Sequence, residues 1–268
     1  MKILFISLGC DKNLADSEEM LGLLTGNGHE IVDSEEEADA IVINTCCFIH
    51  DAKEESVNTI LEMAEYKKTG TYKILIVTGC MAQRYKEEIT EEIPEVDAVL
   101  GTTSYGDIVK ALNEAEAGHV FREFKDINAL PEDSGRRVIT TGGHFGYLKI
   151  AEGCDKHCTY CIIPSLRGKF RSVPEERLLK QAEYMASQGV RELILVAQET
   201  TVYGTDLYGK KTLHILLKKL CQIKGIRWIR VLYCYPEEIY DELIQVMKEE
   251  KKICTILTFQ SSMQATVF

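Results

Sequence analysis

Short apolar runs separated by amphipathic stretches set the rhythm of the first 118 residues. "KILFISLG", "HEIV", "AIVINTC", "KILIVTGC" and "DAVLG" read as strands, with helices between most of them. Strands alternating with helices predict an α/β domain built on a doubly wound parallel sheet. From 119 to 144, around "REFKDINALPEDSGRRVITTGG", the period fades and polar residues, Gly and a Pro collect, which predicts a connection between domains. A second alternation follows: strand "FGYLKIAEG", a cysteine-bearing loop, helix 175–188 ending at Gly189, strand "RELILVAQ", helix 212–224, strand "WIRVLYCYP" and helix 237–250. In the last helix Ile239, Leu243, Val246 and Met247 recur at helical spacing. Three βα units in a row predict an incomplete βα barrel, TIM-like in part, over 145–254.

With 268 residues, 45% of them hydrophobic, the chain can bury a substantial core. No run approaches the roughly eighteen apolar residues of a membrane span. The opening "MKILFISLGC" is too short an apolar run for an export leader, and Asp11 and Lys12 follow at once, so it reads as a buried first strand. The expected compartment is the cytoplasm, where ten cysteines are metal ligands, nucleophiles or core residues rather than a disulfide framework. A net charge of −11 argues against a nucleic-acid-binding surface and favours a protein partner or a small substrate. The acidic stretch "DSEEEAD" reads as a solvated loop.

Two cysteine triplets stand out. Cys10, Cys46 and Cys80 each follow a predicted strand directly, in "FISLGC", "VINTC" and "IVTGC". With strand order 2-1-3-4-5, strands one, three and four are neighbours, and the three thiols converge at the carboxyl edge where open parallel sheets gather ligands. Cys47, Cys221 and Cys234 show no such convergence and read as small core residues. The second triplet, Cys154, Cys158 and Cys161, has the spacing C-x3-C-x2-C and occupies the loop after the first barrel strand. A structural zinc wants a fourth ligand. His157 is the only nearby candidate, and it is bonded directly to Cys158. An iron–sulfur cluster with three thiolates and one open iron is the better fit.

C-x3-C-x2-C after a barrel strand resembles the signature of the radical S-adenosylmethionine (SAM) enzymes. That resemblance implies a [4Fe-4S] cluster on Cys154, Cys158 and Cys161 whose open iron binds SAM, with reductive cleavage giving a hydrogen-abstracting 5'-deoxyadenosyl radical. Tyr160 matches the aromatic position that borders the adenine, or else it packs the loop. Gln198 and Glu199 end a barrel strand, where they face SAM or cap the strand. "ISLGCDKNLADSE", "INTCCFI" and "VTGCMAQRY" resemble the N-terminal motifs of the methylthiotransferases within that superfamily. This implies a second [4Fe-4S] cluster on Cys10, Cys46 and Cys80, and SAM as both radical source and methyl donor. "VAQETTVYGTDLYG" and "VLYCYP" are similar to the branch that modifies the β-carbon of an aspartate in a small-subunit ribosomal protein, rather than the branches acting on transfer RNA adenosine. The implied partners are that ribosomal protein, an electron donor such as flavodoxin or ferredoxin, and a sulfur donor. A non-catalytic metal-binding or interaction module is the alternative of another class.

The resemblance covers nearly the whole chain up to Cys254. The fourteen residues after it, "TILTFQSSMQATVF", carry no charge in a chain that is 27% charged. Back-translated with one base restored before Thr255, the segment can read H-Y-L-D-I-P-I-Q-H-A-S-D-R-I, which resembles the family's next strand and loop. The sequence therefore divides into an N-terminal methylthiotransferase domain (1–118), a connection (119–144), a partial radical SAM domain (145–254) and a segment expected to be out of frame (255–268). An incomplete chain of this kind is expected to turn over weakly or not at all.

Overall fold

Apolar residues alternate between two cores along the strands of the first sheet, and this alternation fixes its architecture. The computed structural model describes residues 1–70, 72–132 and 134–259. By contact density the chain forms two units: Met1–Val138 with Lys156–Gly168, and Ile139–Asp155 with the chain from Lys169 onward.

The first unit is built on a six-stranded sheet with every strand parallel, in the order β2-β1-β3-β4-β5-β6. Its strands are β1 (Lys2–Ser7), β2 (Glu30–Val32), β3 (Ala40–Thr45), β4 (Ile74–Gly79), β5 (Ala98–Leu100) and β6 (Phe121–Glu123). Between them run α1 (Asp11–Gly26), α2 (His50–Lys68), α3 (Cys80–Arg84), α4 (Lys86–Glu92) and α5 (Ile108–Glu116). In β3, Ile41 and Ile43 enter one core while Ala40 and Val42 enter the other; in β4, Leu75 and Val77 divide in the same way from Ile74 and Ile76. Burial on both faces makes these strands read as continuous apolar runs, and each buried Ile, Leu or Val contributes roughly 1.5–3 kcal/mol. The order 2-1-3-4-5 expected from sequence is present. β6 extends it within the stretch read as a connection, three residues being too few to show a period.

Helix α1 departs from the usual amphipathic plan: Lys12, Asn13, Asp16, Ser17, Glu18 and Glu19 are all buried on it. Such polar burial holds only when it is hydrogen-bonded. Arg137 Nε donates to Glu18 Oε2 at 2.8 Å, and Tyr105 Oη donates to Glu19 Oε2 at 3.2 Å. A further helix of this unit, α6 (Ile163–Arg167), closes the cysteine-bearing loop, with Leu166 buried in the core that holds Cys47, Cys80 and Met81.

The second unit carries a parallel sheet of β7 (Phe145–Lys149), β10 (Glu192–Val196), β11 (Trp228–Cys234) and β12 (Ile253–Phe259), in that order, and a two-stranded antiparallel ribbon of β8 (Ala151–Glu152) and β9 (Arg171–Ser172). α7 (Glu175–Ser187), α8 (Thr205–Tyr208), α9 (Leu213–Cys221) and α10 (Asp241–Glu249) alternate with these strands, as in part of a βα barrel. The helix expected over 212–224 ends at Cys221. The one expected over 237–250 begins only at Asp241, because Pro236 opens a short 3-10 turn and Ile239 is extended, leaving Leu243 and Val246 as its buried stripe. β12 pairs irregularly with β11: Ile229 faces Ile253, Val231 faces Leu257 and Cys234 faces Phe259, so the register slips twice. Of the segment expected to be out of frame, 255–259 lie in β12 and 260–268 lie outside the described residues.

Candidate functional site

Three consecutive strand ends of the first unit carry the N-terminal thiols. Cys10 caps α1, Cys46 follows β3, and Cys80 opens α3 directly after β4. The turns are tight because of glycine. Gly9 has φ +90°, and a Cβ there would stand 2.6 Å from Cys46 Cβ and 2.9 Å from its Sγ. Gly79 has φ +93°, and a Cβ there would meet Asn44 Oδ1 and come within 2.5 Å of the Thr45 carbonyl. Both conformations suit glycine, and both let neighbouring strand ends approach. The Cys46 loop is held by Ser56: Cys46 N–H donates to Ser56 Oγ at 3.0 Å, and Ser56 Oγ donates back to Cys46 O at 2.8 Å.

Cys46 and Cys80 are buried and Cys10 is exposed. Burial pushes the Cys80 thiol up to about 12, with the charges of Cys10 and Cys46 adding and the Arg167 guanidinium opposing by charge and hydrogen bond. Burial raises Cys46 as well, again with Cys10 adding and Arg167 opposing. The pairing of β1 with β3 and of β3 with β4, and the close approach of the Gly9 turn to Cys46, set the three strand ends side by side. Among the described residues no three His, Cys, Asp or Glu side chains are already grouped for a metal ion. The donor set itself suits iron: three thiols at strand ends, two of them buried, beside a buried cation that favours their thiolates.

Asn13 sits at the centre of the surrounding network. Its Nδ2 donates to the carbonyls of Leu8 at 3.0 Å and Thr45 at 2.9 Å. Its Oδ1 accepts from Arg167 Nη2 at 2.6 Å, and the Cys80 thiol lies 3.9 Å from the same oxygen. Asn44 Nδ2 donates to Asn13 O at 3.0 Å and to Ser17 Oγ at 2.9 Å. Arg167 Nη1 closes the network on Asp16 Oδ2 at 2.8 Å. Reading the sequence finds none of Asn13, Asp16, Asn44 or Arg167. A run such as "DKNLADSE" carries no mark of burial, and Arg167 belongs to no periodic pattern.

Cys154 is buried in the second unit, just after β8, while Cys158 and Cys161 fall in the segment grouped with the first unit and are partly exposed. Cys161 N–H donates to Cys158 O at 3.0 Å, a turn that keeps the last two cysteines of the motif together. Asp155 Oδ1 accepts from Phe170 N–H at 2.9 Å and fixes the loop's base in the second unit. Tyr160 is exposed.

The carboxyl ends of β7, β10 and β11 carry buried polar residues. Lys149 and Glu152 make a buried ion pair. Gln198 is 7% exposed and its Oε1 has no hydrogen-bond partner among the described residues, while Glu199, 1% exposed, accepts from Thr201 N–H at 3.0 Å and from the Thr201 hydroxyl. Tyr233, near the end of β11, has φ +59°, the one positive value outside glycine among the described residues. Its carbonyl accepts from Thr200 N–H at 3.1 Å. Strained backbone at a strand's carboxyl end and an unpaired buried amide oxygen are features of ligand sites.

Residues 2–101 match the uncharacterized protein family UPF0004, and residues 148–261 match the radical SAM superfamily. A ribosomal protein uS12 methylthiotransferase RimO of Lachnoclostridium phytofermentans is 66% identical over 257 residues, 96% of this chain and 58% of that protein. The chain belongs to the radical SAM methylthiotransferase family. A second methylthiotransferase of this family, the uS12 enzyme RimO of Clostridioides difficile, is 52% identical over 95% of this chain and 57% of its own length. The chain thus spans less than three-fifths of the curated methylthiotransferases it matches. The fold is also that of a radical S-adenosylmethionine methyltransferase, TsrM, from Kitasatospora setae, solved with cobalamin and a [4Fe-4S] cluster bound. The TM-score is 0.63 at 10% identity, over 97% of this chain and 60% of that one. At that identity the likeness concerns the fold alone.

Proposed function

We propose that this chain carries the chemistry of the uS12 methylthiotransferases, adding a methylthio group to the β-carbon of an aspartate in that small-subunit ribosomal protein. The 66% identity to such an enzyme along 96% of the chain carries this reading. Cys10, Cys46 and Cys80 would hold one [4Fe-4S] cluster, and Cys154, Cys158 and Cys161 another that binds SAM. When bound, these groups supply the low-potential electron, the carbon-centred radical and the sulfur.

The chain's own residues prepare for that chemistry. Gly9 and Gly79 let the first three thiols approach, and burial at Cys46 and Cys80 keeps water from them. Gln198, with Oε1 free to accept, and the Lys149–Glu152 pair offer donors and acceptors for the amino, carboxylate and ribose groups of SAM. Tyr160, exposed and next to Cys161, stands at the position that would border the adenine. An electron donor such as a flavodoxin or ferredoxin, a sulfur donor and the reducing cytoplasm complete the setting.

The uncharged composition of 255–268 and the broken register of β12 after Ile253 support the reading that this segment is out of frame. The codons after Cys254 test this: an unambiguous sequence incompatible with the shifted frame refutes it. For the reaction itself, the anaerobically reconstituted chain is incubated with SAM, dithionite, sulfide and uS12, and the peptides are examined by mass spectrometry. Methylthio on an aspartate is expected. Methylthio on transfer RNA adenosine instead, or SAM cleavage with uS12 unmodified under prolonged turnover, contradicts the proposal.

A further inference from the structure

Arg167 is 3% exposed, yet nothing in the radical chemistry of the loop it ends calls for a buried cation. A guanidinium in that position carries a large desolvation penalty, offset only where acceptors are fixed around it. Asp16 Oδ2 and Asn13 Oδ1 accept from its two terminal nitrogens at 2.8 and 2.6 Å. The Asn13 oxygen also faces the Cys80 thiol, so one buried atom joins guanidinium and sulfur. Within the same unit, Leu166 is pinned beside it: Thr102 Oγ1 donates to Leu166 O at 2.8 Å, and the Leu166 side chain packs in the core with Cys80.

We infer that Arg167 is a positioning residue for the N-terminal iron–sulfur centre, holding a fixed positive charge across the Asn13 oxygen from the Cys80 sulfur and thereby setting that centre's reduction potential. The inference rests on the two-cluster reading above and adds a role for a residue that ligates neither centre. Cluster potentials respond to net charge, to hydrogen bonds on sulfur and to solvent exposure, and Arg167 acts through the first two. Asp16 orients the guanidinium by a bidentate-capable contact that lysine cannot reproduce in geometry, although lysine can reproduce the charge. The arrangement also ties the segment bearing Cys158 and Cys161 to the sheet edge bearing Cys10, Cys46 and Cys80, because Arg167 follows Cys161 by one short helix.

The test uses the full chain in a Cys154→Ala, Cys158→Ala, Cys161→Ala background, so that only the N-terminal thiols can hold iron. Iron content, the electron paramagnetic resonance signal and the midpoint potential are measured for Arg167, Arg167→Lys, Arg167→Gln and the charge-neutral pair Asp16→Asn with Arg167→Gln. With Arg167→Gln the reduction equilibrium should fall about tenfold or more, which for one electron is a shift of about 59 mV to lower potential. Arg167→Lys should restore most of it. Removing the cation alone leaves Asp16 buried and uncompensated, so the paired variant, which removes both charges, guards against unfolding; its potential should fall as well, or its iron be lost from a chain with unchanged circular dichroism. A folded paired variant that binds iron at the parental potential overturns the inference. No iron on the background chain itself would instead sink the two-cluster reading.

Discussion

Asn13 joins four parts of the N-terminal site: it bonds the Leu8 and Thr45 carbonyls, accepts from Arg167 and faces the Cys80 thiol. Asn13→Ala leaves two buried carbonyls and a guanidinium short of partners, and unfilled buried acceptors cost about 1–3 kcal/mol each. The expected loss is about 2–4 kcal/mol after partial relaxation, read as a lower urea midpoint with unchanged slope; a midpoint equal to that of the parent would show the network to be idle. Core thiols give a second prediction. Burial pushes Cys221 and Cys234 up to about 11 from an ordinary 9.0. The unfolded chain then releases those protons before the folded one does, so folding stability is intact below pH 9.0 and is lost as pH rises toward about 11. Replacing both by Ala should flatten that alkaline decline in urea titrations, while an unchanged slope would assign it to other groups. At this scale the strand-end positions of Cys10, Cys46 and Cys80 were legible, because apolar runs lead directly into them. Asn13 and Arg167 were not: the burial of a polar residue depends on partners distant in sequence, and Asn13 meets Arg167 across most of the chain.

At the scale of elements, the strand-to-helix turns decide whether the thiols can meet. Gly79 joins β4 to α3 at φ +93°, with Asn44 and Thr45 against its α-carbon. Gly79→Ala brings both a left-handed backbone cost of about 1–2 kcal/mol and a collision with backbone. A loss of at least about 2 kcal/mol is expected, together with lower iron uptake at the N-terminal thiols; normal iron uptake would show that the turn does not set the approach of Cys46 and Cys80. The doubly wound sheet was readable because its central strands β3, β4 and β5 bury both faces and so stand out as apolar runs. β6 was not readable, since "FRE" gains its strand character from pairing with β5 rather than from its own residues. The late start of α10 has a similar cause: Ile239 keeps the helical spacing of Leu243 and Val246, while the Pro236 turn sets its backbone.

For the whole molecule, two centres of different kind are claimed for one chain. One rests on strand ends of a doubly wound sheet, the other on a loop following a barrel strand. Their cysteines do not overlap, so each centre should load without the other. Iron and sulfide per chain after anaerobic reconstitution test this directly, in the parent, in Cys10→Ala, Cys46→Ala, Cys80→Ala, and in Cys154→Ala, Cys158→Ala, Cys161→Ala. About eight irons in the parent and about four in each triple variant are predicted, four for each cubane. About four or fewer in the parent, unchanged by one of the triple variants, would contradict a two-cluster enzyme.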